Sequence, residues 1–163
     1  MELIVDSYEQ AIERPSDNQV QKQYYSGKKK QHTLKSQVTV LPKGADIVDV
    51  DAGYPGTKSD INLFRKNQDK FHEEQRFSGD KGYVGSPVFK TPKKKTKTKS
   101  LTPLEVETNR ELSSERIFVE HVIRLVKIFR VAQERFRLNQ EKYESIVRTV
   151  CGLVRLRIGA LVF

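Results

Sequence analysis

The 163-residue chain carries 30 lysines and arginines against 21 aspartates and glutamates, a net charge of +9 at pH 7. That excess favours a polyanionic partner, most simply nucleic acid, and the length suits one domain burying roughly 70% of its unfolded surface. A single cysteine, Cys151, excludes a disulfide framework and cysteine-rich zinc modules, while the lack of a long apolar run or signal-type N-terminus argues against membrane spanning and secretion and predicts a cytoplasmic protein.

Met1 to Val5 is a short apolar run that ends in Asp6-Ser7, which predicts a strand with Asp6 projecting from its end. Pro15 to Asn18 marks a loop. The basic segment Lys22 to Lys35 follows, in which Tyr24 and Tyr25 precede Gly27 and the run Lys28, Lys29, Lys30. Aromatic surface beside positive charge suits a phosphate backbone or an unpaired base, and a solvated turn between strands is the plainer alternative.

Thr33 to Leu41 and Asp46 to Val50, separated by Pro42-Lys43-Gly44, predict a β-hairpin. Gly53, Pro55 and Gly56 then break the pattern, and Ser59 is placed to cap a helix over Asp60 to Phe71 with Ile61, Leu63 and Phe64 as its apolar side. Asp60 is either a first-turn dipole acid or a supporting carboxylate. In Phe77 to Tyr83, FSGDKGY, glycines on both sides of Asp80 allow a tight turn at a sheet edge. Lys90 to Lys99 holds six lysines in ten residues, which predicts a mobile basic loop over about 90–100 that contacts DNA.

Pro103 opens a helical region that leads into Ser113 to Arg130, expected as one amphipathic helix capped by Ser113 or Ser114, with Ile117, Val122, Ile123, Val126 and Phe129 facing the core. Helical spacing sets Glu120 between Arg116 and Arg124, with Lys127 a turn beyond. Glu120 is therefore either one half of a surface salt bridge or a metal-binding carboxylate among phosphate-binding cations. Over about 141–158, Tyr143, Val147, Val150, Cys151 and Val154 predict a closing amphipathic helix. Asp6, Asp80 and Glu120 are far apart in sequence, but an α/β sandwich can bring them together. Converging carboxylates suit Mg²⁺ or Mn²⁺ and hence phosphoryl transfer.

The ordered series VDSYEQAIERP, YYSGKKKQHTLK, PGTKSDINLFR, GDKGYVG, TPKKK, LTPLEVETNRELSSERIFVEHVIRLVKIFR and VCGLVRLRI resembles the catalytic domain of bacterial DDE transposases, in the insertion-sequence branch related to PIF/Harbinger elements. The resemblance covers about Met1 to Ile158 and implies one RNase H-like catalytic domain over 1–163, a mixed sheet flanked by helices. It further implies a divalent metal, Mg²⁺ or Mn²⁺, cleavage of phosphodiesters at transposon ends, and transfer of the freed 3′-hydroxyl into target DNA. Carried over, the acidic triad falls on Asp6, Asp80 and Glu120, with Asp60 as a further acidic position. Lys28, Lys29, Lys30, Lys93, Lys94, Lys95, Arg116, Arg124 and Lys127 are the expected DNA contacts.

The helix-turn-helix region that precedes the catalytic domain in this family has no counterpart before Asp6. The expectation is a chain that acts at the nucleoid with DNA, as a homo-oligomer or beside an upstream-frame chain that recognises the element's ends. The alternative is a truncated, non-catalytic remnant that only binds nucleic acid.

Overall fold

The computed structural model describes residues 1–96 and 100–160; Lys97 and Lys99 of the expected basic loop lie outside the described residues. Among the described residues, six strands, β1 (Glu2–Ala11), β2 (Tyr25–Ser26), β3 (Gln31–Val40), β4 (Ile47–Pro55), β5 (Arg76–Ser78) and β6 (Phe89–Lys90), form one mixed sheet. Five α-helices of the described residues accompany it: α1 (Asn18–Tyr24), α2 (Asp60–Asn67), α3 (Pro103–Lys127), α4 (Arg130–Gln133) and α5 (Tyr143–Arg157). The class is the expected one, a mixed sheet flanked by helices.

β1 is central. It pairs antiparallel with β3 from Ile4 to Ala11 and parallel with β5 from Glu2 to Ile4, and β6 continues parallel beyond β5. β3 pairs antiparallel with β4 on its other side, as the predicted hairpin requires. β4 runs through Gly53 to Pro55 instead of breaking there, because the register against β3 shifts between Lys35 and Gln37 and Gly53, at φ 88°, absorbs the extra residue. A bulge of this kind needs a residue that tolerates the left-handed region.

The strand alternation of β1 sends Leu3 and Val5 to one face of the sheet and Ile4, Tyr8 and Ile12 to the other. On the first face Phe64, Phe77, Tyr83 and Phe89 close a compact aromatic core. On the second, α3 and α5 cover the sheet with Val119, Val122, Ile123, Val126, Tyr143, Val147, Val150, Cys151 and Val154.

Three further sequence expectations change. β1 does not end at Asp6 but extends to Ala11, since Tyr8 and Ile12 continue the alternation through the polar residues between them. α3 starts at Pro103, ten residues before the expected cap. Thr102 Oγ1 accepts from the Glu105 amide at 3.2 Å and Glu105 Oε2 accepts from the Thr102 amide at 2.9 Å, a reciprocal cap with proline in the first turn. Ser113 and Ser114 are interior to the helix, and their hydroxyls donate to the carbonyls of Asn109 and Arg110. Finally, Ile117 is 60% exposed: the buried stripe is Leu112, Val119, Val122, Ile123 and Val126, one position out of phase with it.

Candidate active site

Asp6 shares its face of β1 with Ile4 and Tyr8, the face covered by α3. Pairing with β5 stops at Ile4, so the strand is open on that side where Asp6 stands. Asp6 and Glu120 line one cleft of about 350 Å³ with Ser7, Tyr8, Ile123, Arg124 and Lys127. Asp80 follows directly from β5, the parallel neighbour of β1. It starts a short 3₁₀ turn over Lys81–Tyr83, and its Oδ1 accepts from the Gly82 amide at 2.6 Å.

The three acids share one electrostatic field. Burial pushes the Asp6 carboxyl up to about 6; the Ser7 amide, which donates to Asp6 Oδ1 at 2.8 Å, and the Arg116 charge oppose this, while the charges of Asp80 and Glu120 add to it. Burial disfavours the charged form and like charges do the same. Arg116 lies among these acids as their counter-ion, its Nη2 donating to Glu120 Oε1 at 3.0 Å. As the side chains stand, no three His, Cys, Asp or Glu groups among the described residues are close enough to hold an ion. In donor chemistry the set still fits a hard divalent cation, since all three are carboxylates.

Asp60 is held differently. Its Oδ1 accepts from Ser7 Oγ at 2.5 Å and from Lys35 Nζ at 3.0 Å, and its carbonyl accepts from Gln37 Nε2 at 3.2 Å. Lys35 Nζ also donates to the Lys58 carbonyl at 2.6 Å. Ser7 alternates to the opposite face from Asp6, so Asp60 reaches the central strand from the α2 side. A Cβ on Gly82 would meet Asp60 Oδ2 at 2.7 Å and Asp80 Oδ1 at 2.8 Å. Asp60 thus abuts the turn that carries Asp80. Lys35, which the sequence groups with the DNA-facing cations, is buried and committed to this network. Ser7, Lys35, Gln37 and Tyr83, whose hydroxyl accepts from Gln37 Nε2 at 2.8 Å, were not singled out beforehand.

The expected cations fall into two groups along α3. Arg124 and Lys127 line the acidic cleft. Lys127 Nζ sits over the Tyr8 ring, 5.2 Å from its centroid, and burial followed by the charge of Lys29 lowers its pKa. The charge of Lys29, on the exposed turn that also bears Lys28 and Lys30, thus reaches the C-terminal end of α3. At the other end, Lys93 is docked instead of mobile. Its amide donates to Asn109 Oδ1 at 2.9 Å, its carbonyl accepts from Asn109 Nδ2 at 3.0 Å, and its Nζ pairs with Glu105 at 3.0 Å. Lys94 and Lys95 stay exposed beside it. Arg116 differs from the other expected DNA contacts in being paired with Glu120.

The model of the DDE superfamily endonucleases matches residues 5–155, a span that includes all four acids discussed above. The chain belongs to the DDE superfamily endonucleases. It is 36% identical over 161 residues to a probable transposase for insertion sequence element IS702 from Microchaete diplosiphon, an alignment covering 96% of this chain and 57% of that protein. The chain thus spans little more than half the length of this curated relative. No solved structure matches it. Among the described residues of this DDE domain, no helix is long and apolar enough to cross a membrane.

Proposed function

We propose that this domain cleaves DNA phosphodiesters at the ends of a mobile element and takes part in transferring the freed 3′-hydroxyl into target DNA, with Asp6, Asp80 and Glu120 as its catalytic carboxylates and metal ligands. The observation that carries the proposal is the shared cleft of Asp6 and Glu120, with Asp80 within electrostatic reach and Arg124 and Lys127 at its edge. The central strand, antiparallel to one neighbour and parallel to the other, favours the RNase H-like fold that the family resemblance implies. A divalent ion, Mg²⁺ or Mn²⁺, would supply a Lewis acid for the attacking and leaving oxygens.

The chain's own residues do the rest. Arg116 neutralises Glu120 in the free protein, and were Glu120 to hold a cation, Arg116 would be available to face a phosphate. Arg124, Lys127 and the Lys28–Lys30 turn hold the strand through its phosphates, and Lys93, Lys94 and Lys95 hold the duplex further along α3. Asp60 supports Asp80 in place of ligating. A second reading, a non-catalytic DNA-binding remnant, draws on the Arg116–Glu120 pair, which occupies one of the three acids.

Nicking of supercoiled plasmid in Mn²⁺ tests both. Parent protein nicks, and Asp6→Asn, Asp80→Asn and Glu120→Gln, each verified as folded by circular dichroism, do not. Nicking unchanged in the Asp80→Asn variant would overturn the site. A folded parent that binds DNA without nicking it favours the remnant.

A further inference from the structure

A second cleft, of about 680 Å³, opens beside β2 and is lined by Arg14, Asn18, Gln21, Lys22, Tyr25 and His32. It is distinct from the acidic cleft and shares no residue with it. His32 lies six residues along β3 from Val38, the strand partner of Asp6, which separates the two by about 20 Å at strand rise. None of its lining side chains is acidic, and among the described residues neither Arg14 nor Lys22 makes an ion pair: Arg14 Nε donates instead to Gln21 Oε1 at 3.0 Å.

Tyr25 is 46% exposed although it belongs to a strand. Its backbone is fixed by pairing with His32, and the His32 ring braces it at 69° with centroids 5.4 Å apart. The next residues form a tight turn. The Lys30 amide donates to the Ser26 carbonyl at 2.7 Å, Lys29 N donates to Ser26 Oγ at 3.2 Å, and Lys30 itself sits at φ 53°. This turn exposes Lys28, Lys29 and Lys30 directly after Tyr25 and Ser26, and the charge of Lys29 reaches Lys127 at the acidic cleft.

An aromatic ring held by the backbone, amides at its side and cations spaced along the approach match the alternation of base and phosphate in a single strand. We propose that this cleft binds an unpaired nucleotide of DNA, its base stacked on Tyr25 and its phosphates on Arg14, Lys22 and the Lys28–Lys30 turn. A paired base presents its face to its neighbours in the stack, so Tyr25 selects for bases outside a duplex. The strand leaving the cleft passes over the lysine turn toward Asp6 and Glu120. This rests on the reading of the chain as DNA-binding, but not on its catalysis.

The test is fluorescence anisotropy in EDTA with three probes: a blunt duplex, the same duplex with a short single-stranded 3′ overhang, and that overhang with abasic residues. Parent protein binds the overhang about tenfold more tightly than the blunt or abasic probe, in the range of one stacked base. Tyr25→Ala removes this preference, Tyr25→Phe keeps it, and replacing Lys28, Lys29 and Lys30 together with alanine weakens all three probes. A preference that survives Tyr25→Ala in a folded variant, or an abasic overhang bound as tightly as the natural one, overturns the nucleotide site while leaving DNA binding intact. Displacement of the overhang by polyglutamate at matched charge, with Tyr25→Ala equally affected, assigns the cleft to acidic peptides instead. A folded parent that binds none of the probes overturns the DNA reading together with the site.

Discussion

Lys35 Nζ lies 3.0 Å from Asp60 Oδ1, a buried lysine on β3 holding an aspartate that opens α2 and touches the turn bearing Asp80. The lysine is 9% exposed and the aspartate 25%, and the same carboxylate oxygen accepts from Ser7 on the central strand. Removing one partner leaves a charge in a place where water reaches it poorly.

Lys35→Met and Asp60→Asn are therefore expected to destabilise the domain by about 2 kcal/mol each, below the range for fully buried pairs because Asp60 is partly solvated. The double variant should lose less than the sum. Urea unfolding of the four proteins measures the coupling, and strict additivity would show that the pair contributes nothing of its own.

Asp6 sets a pH dependence. Its carboxyl titrates near 6 in the folded chain against an ordinary value of 3.8, so between about pH 4 and 6 the folded state keeps a proton that the unfolded state has released. Stability from this group is then greatest below pH 4 and declines as pH rises through 6. Asp6→Asn removes the decline. In chelator at pH 7 the variant should be more stable than the parent by about 1–2 kcal/mol, and the two should converge near pH 4; a parent as stable as the variant at both pH values would contradict the burial of Asp6.

Gly82 leaves room for two carboxylates. A methyl there would stand 2.7 Å from Asp60 Oδ2 and 2.8 Å from Asp80 Oδ1, so Gly82→Ala must displace at least one of them. The expected result is a loss of about 1–3 kcal/mol in stability together with weakened Mn²⁺ binding by calorimetry. Unaltered metal affinity in the alanine variant would count against the proposal that Asp80 is a metal ligand supported by Asp60.

Cys151 lies on the buried face of α5, and burial pushes its thiol up to about 12. The thiolate is the reactive species. Ellman's reagent at pH 8 should therefore leave the native chain unlabelled and react stoichiometrically in denaturant. Rapid labelling of the native protein would place the α5 face of the sheet in contact with solvent.

Where the sequence was readable, one local signal decided the outcome. The β3–β4 hairpin followed from β-branched alternation around Pro42-Lys43-Gly44, and α5 from five apolar residues at helical spacing. The start of α3 was readable too, in Thr102, Pro103 and Glu105, but Ser113 and Ser114 present the same side-chain chemistry. Only the hydrogen bonds to Asn109 and Arg110 reveal that they continue a helix instead of starting one.

The triad of Asp6, Asp80 and Glu120 was an expectation from family likeness, not from spacing; the structure brings Asp6 and Glu120 to one cleft and leaves Asp80 within electrostatic reach. The Lys35–Asp60–Ser7 network was not foreseen, because its members are joined by strand order across 25 and 53 residues. No periodicity marks Lys35 as buried, since a lysine inside a basic segment looks like its exposed neighbours. Tyr25 was visible as a stacking surface, but Arg14 and His32 join it only through the pairing of β2 with β3 and the cleft that α1 closes.

The length of α3 carries a metrical consequence. Lys93 is docked on Glu105 and Asn109 near one end, and Lys127 meets the field of Lys29 at the other. From Glu105 to Lys127 the axis runs about 33 Å at helical rise, close to the roughly 34 Å repeat of B-form DNA. A straight duplex laid along this axis would show both positive ends the same side of its backbone, one full turn apart, with Glu120 between them. The helix would then act as a caliper, fixing which phosphate of a turn comes to rest over Glu120.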